Sequence, residues 1–103
     1  MLLGLTSTLV AGVVGLRPLD AHIGEVKRLY VRPAARRRGM GRMLMTTLIG
    51  EARRVGYQSL RLETLEAMIE ARALYHSLGF REIARYRPMA NADDRTISMA
   101  LEL

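Results

Sequence analysis

The spacing of apolar residues predicts two helices. From about Gly39 to Val55 they recur at every third or fourth position, which is the repeat of a helix with one buried face. Gly56 follows and is placed to end this helix. The same spacing predicts a second helix from about Ala67 to Leu78, which Gly79 ends.

Strand-like alternation fills most of the remaining chain. Residues 1–16 are apolar and predict two buried strands around a polar turn at Thr6–Thr8. Four further strands are predicted at residues 25–31, 59–63, 80–86 and 96–103. The predicted order is β-β-β-α-β-α-β-β, an α/β domain whose sheet is covered by two helices.

The size and composition of the chain exclude several classes of protein. With 103 residues, of which 50% are hydrophobic and 25% charged, the sequence predicts one globular domain over residues 1–103. The absence of cysteine excludes disulfides, a thiol nucleophile and a cysteine zinc site, and the cytoplasm is the predicted compartment. Residues 1–16 carry no charge, but a membrane span needs roughly 18 or more apolar residues, so no membrane role is predicted.

The net charge of +6 comes almost entirely from arginine, since Lys27 is the only lysine. Arginine binds phosphate and carboxylate through paired hydrogen bonds. The charge therefore predicts a polyanionic partner, and composition alone leaves nucleic acid, a membrane surface and a phosphorylated cofactor open.

A basic loop with two glycines lies before the first predicted helix. Gly39 and Gly41 would let a ligand approach the helix N-terminus, where free backbone N–H groups and the helix dipole favour a phosphate. The loop does not have the sequence motif of a Walker loop. A dinucleotide-binding loop is also excluded, because Leu44 occupies the position where that motif has a small residue. A capped surface helix and a nucleic-acid or nuclear-localisation patch on Arg36–Arg38 remain alternatives.

Two motifs together resemble the GNAT N-acetyltransferase superfamily. The first is Arg36-x-x-Gly39-x-Gly41, and the second runs from Glu63-Thr64 through Ala71-x-x-Leu74-Tyr75 to Leu78-Gly79-Phe80. The resemblance covers about residues 17–103. It implies a mixed, mostly antiparallel sheet flanked by helices, with acetyl-CoA held between splayed central strands. It also implies direct transfer of the acetyl group to a primary amine of a small molecule or peptide, in a ternary complex.

The resemblance also implies which residues bind the donor. The backbone of Leu29 and Val31 would bind the pantetheine arm, and the pyrophosphate would lie on the N–H groups of residues 37–42. The predicted donor site consists of Leu29, Val31, Arg36, Arg37, Arg38, Gly39, Met40, Gly41 and Arg42.

The resemblance gives Tyr75 the role of the general acid that protonates the leaving thiolate. An ordinary phenol has a pKa near 10 and is protonated at neutral pH, as that role requires. The alternative is a tyrosine that only packs in the core.

The resemblance offers Glu25 as a candidate for the general base. Glu25 matches the catalytic glutamate of the histone-modifying branch, but it could equally be a solvent-facing glutamate at a strand end. Glu63 is the other carboxylate near the predicted site, where it would orient the acceptor amine. His22 and His76 lack partners at ligand spacing, so no metal site is predicted.

The chain departs from the family at its N-terminus. Members normally begin with a strand and two helices, and family length leads us to expect that about 45 residues of that fold are absent before the matched part of this chain. Either the natural product begins earlier or the chain is shortened. A non-catalytic acetyl-CoA-binding or assembly module therefore stays open, as does a basic nucleic-acid-binding protein, although few aromatic residues are available to stack on bases.

A shortened domain would expose apolar sheet surface, and the sequence therefore predicts a homodimer. The residues expected to lack cover within one chain are Leu2, Leu3, Leu5, Val10, Val13 and Val14.

Overall fold

The structure, a computed structural model, describes residues 2–4, 12–31 and 39–103. Its strands are β1 (Leu2–Gly4), β2 (Gly12–Pro18), β3 (Ile23–Val31), β4 (Ser59–Leu65), β5 (Arg81–Ile83) and β6 (Thr96–Glu102). The helices are α1 (Met40–Val55), between β3 and β4, and α2 (Ile69–Ser77), between β4 and β5. The predicted order of elements is confirmed.

The strands form one mixed sheet in the order β1-β2-β3-β4-β6-β5. Among the described strands, only β3 and β4 are parallel, and the other neighbouring pairs are antiparallel. The parallel pair is possible because α1 connects its two strands as a crossover. The predicted fold class, a mixed and mostly antiparallel sheet flanked by helices, is confirmed.

Both helices cover the same face of the sheet. Along β4, Leu60 and Leu62 are buried and contribute to one core cluster, which also includes Leu44 and Leu48 of α1 and Tyr75 of α2. Alternate residues of a strand point to the same face of a sheet. The core therefore lies between the two helices and the face of the sheet that carries Leu60 and Leu62. Burial of each large side chain contributes about 1.5–3 kcal/mol to stability.

The opposite face of the sheet, here called the polar face, carries charged residues. They are Arg17, Glu25, Lys27, Arg61 and Glu63, which β2, β3 and β4 place by alternation. The exposed apolar surface predicted at Leu2, Leu3, Leu5, Val10 and Val13 concerns side chains that lie outside the described part of the chain, and it stays a prediction. Val14, one of the residues expected to lack cover, is fully buried against the helices.

Several element boundaries differ from the sequence prediction: β3 begins at Ile23 rather than at residue 25, and β4 ends at Leu65 rather than at residue 63. The strand predicted at residues 80–86 is only Arg81–Ile83, because the chain then leaves the sheet and Tyr86 and Arg87 turn towards Glu25. The second helix begins at Ile69 rather than Ala67, after a turn in which the Met68 N–H donates to the Leu65 carbonyl. The predicted turn at Thr6–Thr8 lies outside the described residues.

Candidate active site

The parallel strands β3 and β4 separate at the middle of the sheet. They pair from Ile23–Ser59 to Glu25–Arg61, and beyond those pairs the described residues of the two strands no longer pair with each other. A cavity of about 250 Å³ lies between them, here called the cleft. It is lined by Val26, Lys27, Leu62, Glu63, Thr64, Leu65, Met68 and Tyr75.

Tyr75 of α2 combines a packed ring with a place in the cleft wall. The residue is 6% exposed, and its ring lies 5.9 Å from that of Phe80, measured between centroids. Burial raises the pKa of Tyr75 to about 12. The phenol is therefore protonated at neutral pH.

The N-terminus of α1 offers backbone donors. Gly39 precedes the helix with φ 72°, a left-handed conformation that favours glycine, and no side chain of the described residues caps the helix. The first-turn N–H groups, including those of Met40 and Gly41, have no partner within the helix. The Arg42 guanidinium donates to Ser77 Oγ at 2.6 Å and so joins the start of α1 to the end of α2.

Glu25 is fully buried on the polar face, which excludes the solvent-facing position considered from the sequence. Arg17 Nε donates to its Oε1 at 2.9 Å, and Arg87 Nη2 donates to the same oxygen at 2.9 Å. The Tyr86 hydroxyl donates to Oε2 at 2.8 Å, and Arg87 Nη1 also donates to Oε2. Lys27 Nζ lies 3.6 Å from Oε2. Both carboxylate oxygens are therefore occupied.

These partners decide the protonation state of Glu25. Burial alone would raise the pKa of the carboxyl group, but hydrogen bonds from Arg87, Tyr86 and Arg17, with the charge of Lys27, lower the pKa to about 2. A carboxylate with so low a pKa is a weak proton acceptor.

Glu63 lies at the edge of the cleft and is more accessible. Its side chain is 21% exposed, and Arg87 Nη1 donates to its Oε1 at 2.6 Å. Lys27 Nζ is 4.0 Å from the same oxygen. The guanidinium of Arg87 thus connects the buried carboxylate of Glu25 with the accessible carboxylate of Glu63.

A model of a known protein family matches most of this chain. Residues 4–80 match the model of the Acetyltransferase (GNAT) family. This chain belongs to the GNAT acetyltransferase family.

A curated GNAT relative is the [ribosomal protein bS18]-alanine N-acetyltransferase of Salmonella typhimurium. It is 42% identical to this chain over 78 residues, which are 73% of this chain and 53% of the relative. The chain spans about half the length of the curated relatives it matches.

Solved GNAT structures have the same fold. The Escherichia coli ribosomal-protein-S18-alanine N-acetyltransferase superimposes with a TM-score of 0.82 at 31% identity, over 99% of this chain and 68% of that one. A Bacillus subtilis acetyltransferase in complex with CoA gives a TM-score of 0.81 at 22% identity, over 96% of this chain and 73% of that one. The second likeness concerns the fold, and it shows that a neighbour of this fold binds CoA.

Among the described residues of the two GNAT motifs, Glu63, Thr64 and Tyr75 line the cleft. Leu29 and Val31 lie in the part of β3 that has separated from β4, and Gly39, Met40, Gly41 and Arg42 lie at the start of α1. Arg36, Arg37 and Arg38 lie outside the described residues. The roles of all these residues in binding the donor stay predictions, as do the roles of Tyr75 and Glu25.

Sequence reasoning missed Tyr86 and Arg87. They fall at the end of a predicted strand, just before Pro88, and they lie 61 and 62 positions from Glu25 in the sequence. No local spacing marks such a contact. The only available signal was the presence of an aromatic and a basic residue where the strand pattern ends.

Within residues 2–4, 12–31 and 39–103, no group of histidine, aspartate and glutamate side chains could hold a metal ion. His76 lies on the exposed side of α2.

None of the helices in residues 2–4, 12–31 and 39–103 has both the length and the apolar character needed to cross a membrane.

The buried carboxylate of Glu25 predicts a loss of stability in acid. Its pKa rises from about 2 in the folded chain to an ordinary value of 4.5 when the chain unfolds, so unfolding takes up a proton between these values. The stabilisation is complete above the unfolded pKa and falls by about 3 kcal/mol as the pH drops towards the folded pKa. Urea unfolding of the wild-type chain across this range should show the slope.

Glu25→Gln is the matched variant, because it keeps the shape of the side chain and cannot titrate. We expect its free energy of unfolding to change less with pH over the same range, even if it is lower throughout. An equal slope in the two proteins would contradict the assignment of the acid sensitivity to Glu25.

Proposed function

We propose that this chain carries the acetyl-transfer site of an N-acetyltransferase, which moves an acetyl group from acetyl-CoA to a primary amine. The observation that carries the proposal is the cleft between β3 and β4, with the protonated Tyr75 in its wall and Glu63 at its edge. Membership of the GNAT family supports the same reaction.

The donor fits the start of α1 and the separated part of β3. The pyrophosphate of acetyl-CoA would accept hydrogen bonds from the N–H groups of the first turn of α1, where Gly39 and Gly41 present no Cβ atoms. The arginines at positions 36–38, with Arg42, would supply counter-charge. The pantetheine arm would run along the backbone of Leu29 and Val31 towards Tyr75.

Direct attack within a ternary complex needs one acid and one proton acceptor. The neutral amine attacks the thioester carbon, a C–N bond forms, and the C–S bond breaks as the tetrahedral intermediate collapses. Tyr75 donates its phenolic proton to the leaving sulfur, so that coenzyme A leaves as a thiol. The proton lost by the amine goes to a carboxylate or to a water molecule bound by one.

Two carboxylates compete for the second role. Glu25, predicted as the base from the family resemblance, has both oxygens occupied and a pKa of about 2. Glu63 lines the cleft, and its Oε2 has no hydrogen-bond or ion-pair partner among the described residues. We propose that Glu63 binds and orients the acceptor amine and receives its proton, directly or through water.

The acceptor is proposed to be a peptide amine or a small primary amine. The Salmonella typhimurium relative is named for an alanine of ribosomal protein bS18, which makes a peptide that begins with alanine the first acceptor to test. A small polyamine represents the other class.

The test is release of the coenzyme A thiol, followed with a thiol-reactive dye. Because the chain has no cysteine, the dye reports coenzyme A alone. We expect thiol release that depends on both the protein and the amine. Binding of coenzyme A without thiol release from either acceptor would favour the non-catalytic acetyl-CoA-binding module instead.

The proposal includes self-association of the chain and a cytoplasmic location. The strands β1 and β5 form the two edges of the described sheet, and an edge strand offers unpaired backbone groups to a second chain. The absence of cysteine is compatible with a reducing compartment.

A further inference from the structure

The Arg87 guanidinium lies between two carboxylates that have different surroundings. Its Nη2 donates to Glu25 Oε1 at 2.9 Å, and its Nη1 donates both to Glu25 Oε2 and to Glu63 Oε1, the latter at 2.6 Å. The Glu25 side chain is 0% exposed, whereas that of Glu63 is 21% exposed at the cleft. We propose that Arg87 is a positioning residue for acetyl transfer: anchored on Glu25, it holds the Glu63 carboxylate in place to receive the acceptor amine.

This inference rests on the proposed function, and its first support is the anchor. Glu25 accepts paired hydrogen bonds from the flat guanidinium of Arg87, a geometry that a lysine cannot reproduce. Arg17 and Tyr86 hold the same carboxylate from two other directions. The low pKa of Glu25, about 2, keeps this anchor charged at neutral pH.

The second support is the loop that carries Arg87, which is hydrogen-bonded to Asp94 on both sides of Arg87 and to the start of β6 on one side. Arg85 donates through Nη1 to the Thr96 carbonyl at 2.8 Å and through Nη2 to Asp94 Oδ2 at 2.7 Å. Asp94 also accepts hydrogen bonds from the N–H groups of Ala90 and Thr96. The backbone on either side of Arg87 is thus fixed before any ligand binds, which lowers the entropy cost of holding its side chain.

The third support is the Oε2 atom of Glu63, which has no hydrogen-bond partner among the described residues. Arg87 occupies its Oε1, and within the described ranges no other side chain donates a hydrogen bond to this carboxylate. Lys27 is the nearest other cation, but at 4.0 Å from Oε1 it lies beyond hydrogen-bond distance. Oε2 is therefore the atom that could receive the acceptor ammonium, with the carboxylate already oriented.

Replacing Arg87 alone would not separate positioning from stability. Arg87→Gln leaves Glu25 buried with fewer partners, and loss of one partner of a buried ion pair is strongly destabilising. The double variant Glu25→Gln/Arg87→Gln removes the buried charge together with its partner. It still deprives Glu63 of the contact with Arg87, so it tests positioning in a folded chain.

The experiment measures kcat and KM by thiol release in the wild type and in both of these variants, with folding followed by circular dichroism. We expect the double variant to lose roughly 10²-fold in kcat, as for a misplaced reacting group, with an unchanged KM for acetyl-CoA. Arg87→Lys should recover part of the kcat that Arg87→Gln loses, because an ammonium can still reach Glu63. Arg81→Gln, an exposed change on β5, is the matched control.

A second pair of variants tests whether Arg87 acts through Glu63. If it does, adding Arg87→Gln to Glu63→Gln should lower kcat no further than Glu63→Gln alone. Wild-type kcat in Glu25→Gln/Arg87→Gln would overturn the inference, since Arg87 would then only offset a buried charge. Independent, multiplying effects of Arg87→Gln and Glu63→Gln would also overturn it. A wild-type chain that transfers no acetyl group would overturn the proposed function itself, and the inference with it.

Discussion

Replacing Tyr75 with phenylalanine is expected to lower kcat for acetyl transfer by about 10²-fold or more, with little change in coenzyme A affinity. The change removes only the hydroxyl group, while the ring keeps its contact with Phe80 and its place in the core. Because burial raises the pKa of Tyr75 to about 12, the wild-type phenol holds its proton throughout the neutral range. The measurement is steady-state thiol release, with coenzyme A binding followed by calorimetry.

Tyr57→Phe provides the matched control, since Tyr57 also packs against the core but does not line the cleft. Its kcat should equal that of the wild type. If Tyr75→Phe keeps the wild-type kcat, Tyr75 is a core residue only and the acid role is wrong.

Replacing Gly41 with valine is expected to abolish the thermal stabilisation by coenzyme A. Gly41 lies in the first turn of α1, where a branched side chain would stand between the backbone N–H groups and the pyrophosphate. A ligand present at about 100 times its dissociation constant stabilises the native state by about 2.7 kcal/mol, which a melting curve resolves readily. The variant should lose this shift.

Gly50→Val is the control for the intrinsic effect of valine in a helix. Gly50 lies in the same helix and is exposed, and a Cβ atom there would meet no atom within 4 Å other than the neighbouring backbone of α1. Both variants should lower the melting temperature without ligand, but only Gly50→Val should keep the shift with coenzyme A. Equal coenzyme A-dependent shifts in melting temperature for the two variants would contradict the placement of the donor at the start of α1.

The sequence was sufficient to predict the order of elements because each element carries its own local pattern. The helix α1 was predicted from the helical spacing of Leu44, Leu48, Ala52 and Val55 and from the glycine that follows. The first three are buried, whereas Val55, at the end of the helix, is 57% exposed. The strand β4 was predicted from the alternation of Leu60 and Leu62 with charged residues. Signals of this kind depend on neighbours in the sequence, and they predict an element's type more reliably than its ends.

The contacts of the candidate site depend on residues far apart in the sequence. Alternation along β3 places Glu25 and Val26 on opposite faces of the sheet. From the sequence alone, the position of Glu25 looks open to solvent. It is buried because Arg87 and Tyr86, more than 60 positions later, fold over it. The shortened β5 has the same cause, since the residues after Ile83 leave the sheet to make these contacts.

The most direct test of the central claim is the mass of an acceptor after incubation with acetyl-CoA and this chain. A peptide that begins with alanine, or a small polyamine, should gain the mass of one acetyl group, and the amount of product should exceed the amount of protein. Tyr75→Phe should form the same product far more slowly. Both acceptors recovered unmodified, from a chain shown by calorimetry to bind coenzyme A, would contradict the claim that this cleft transfers acetyl groups.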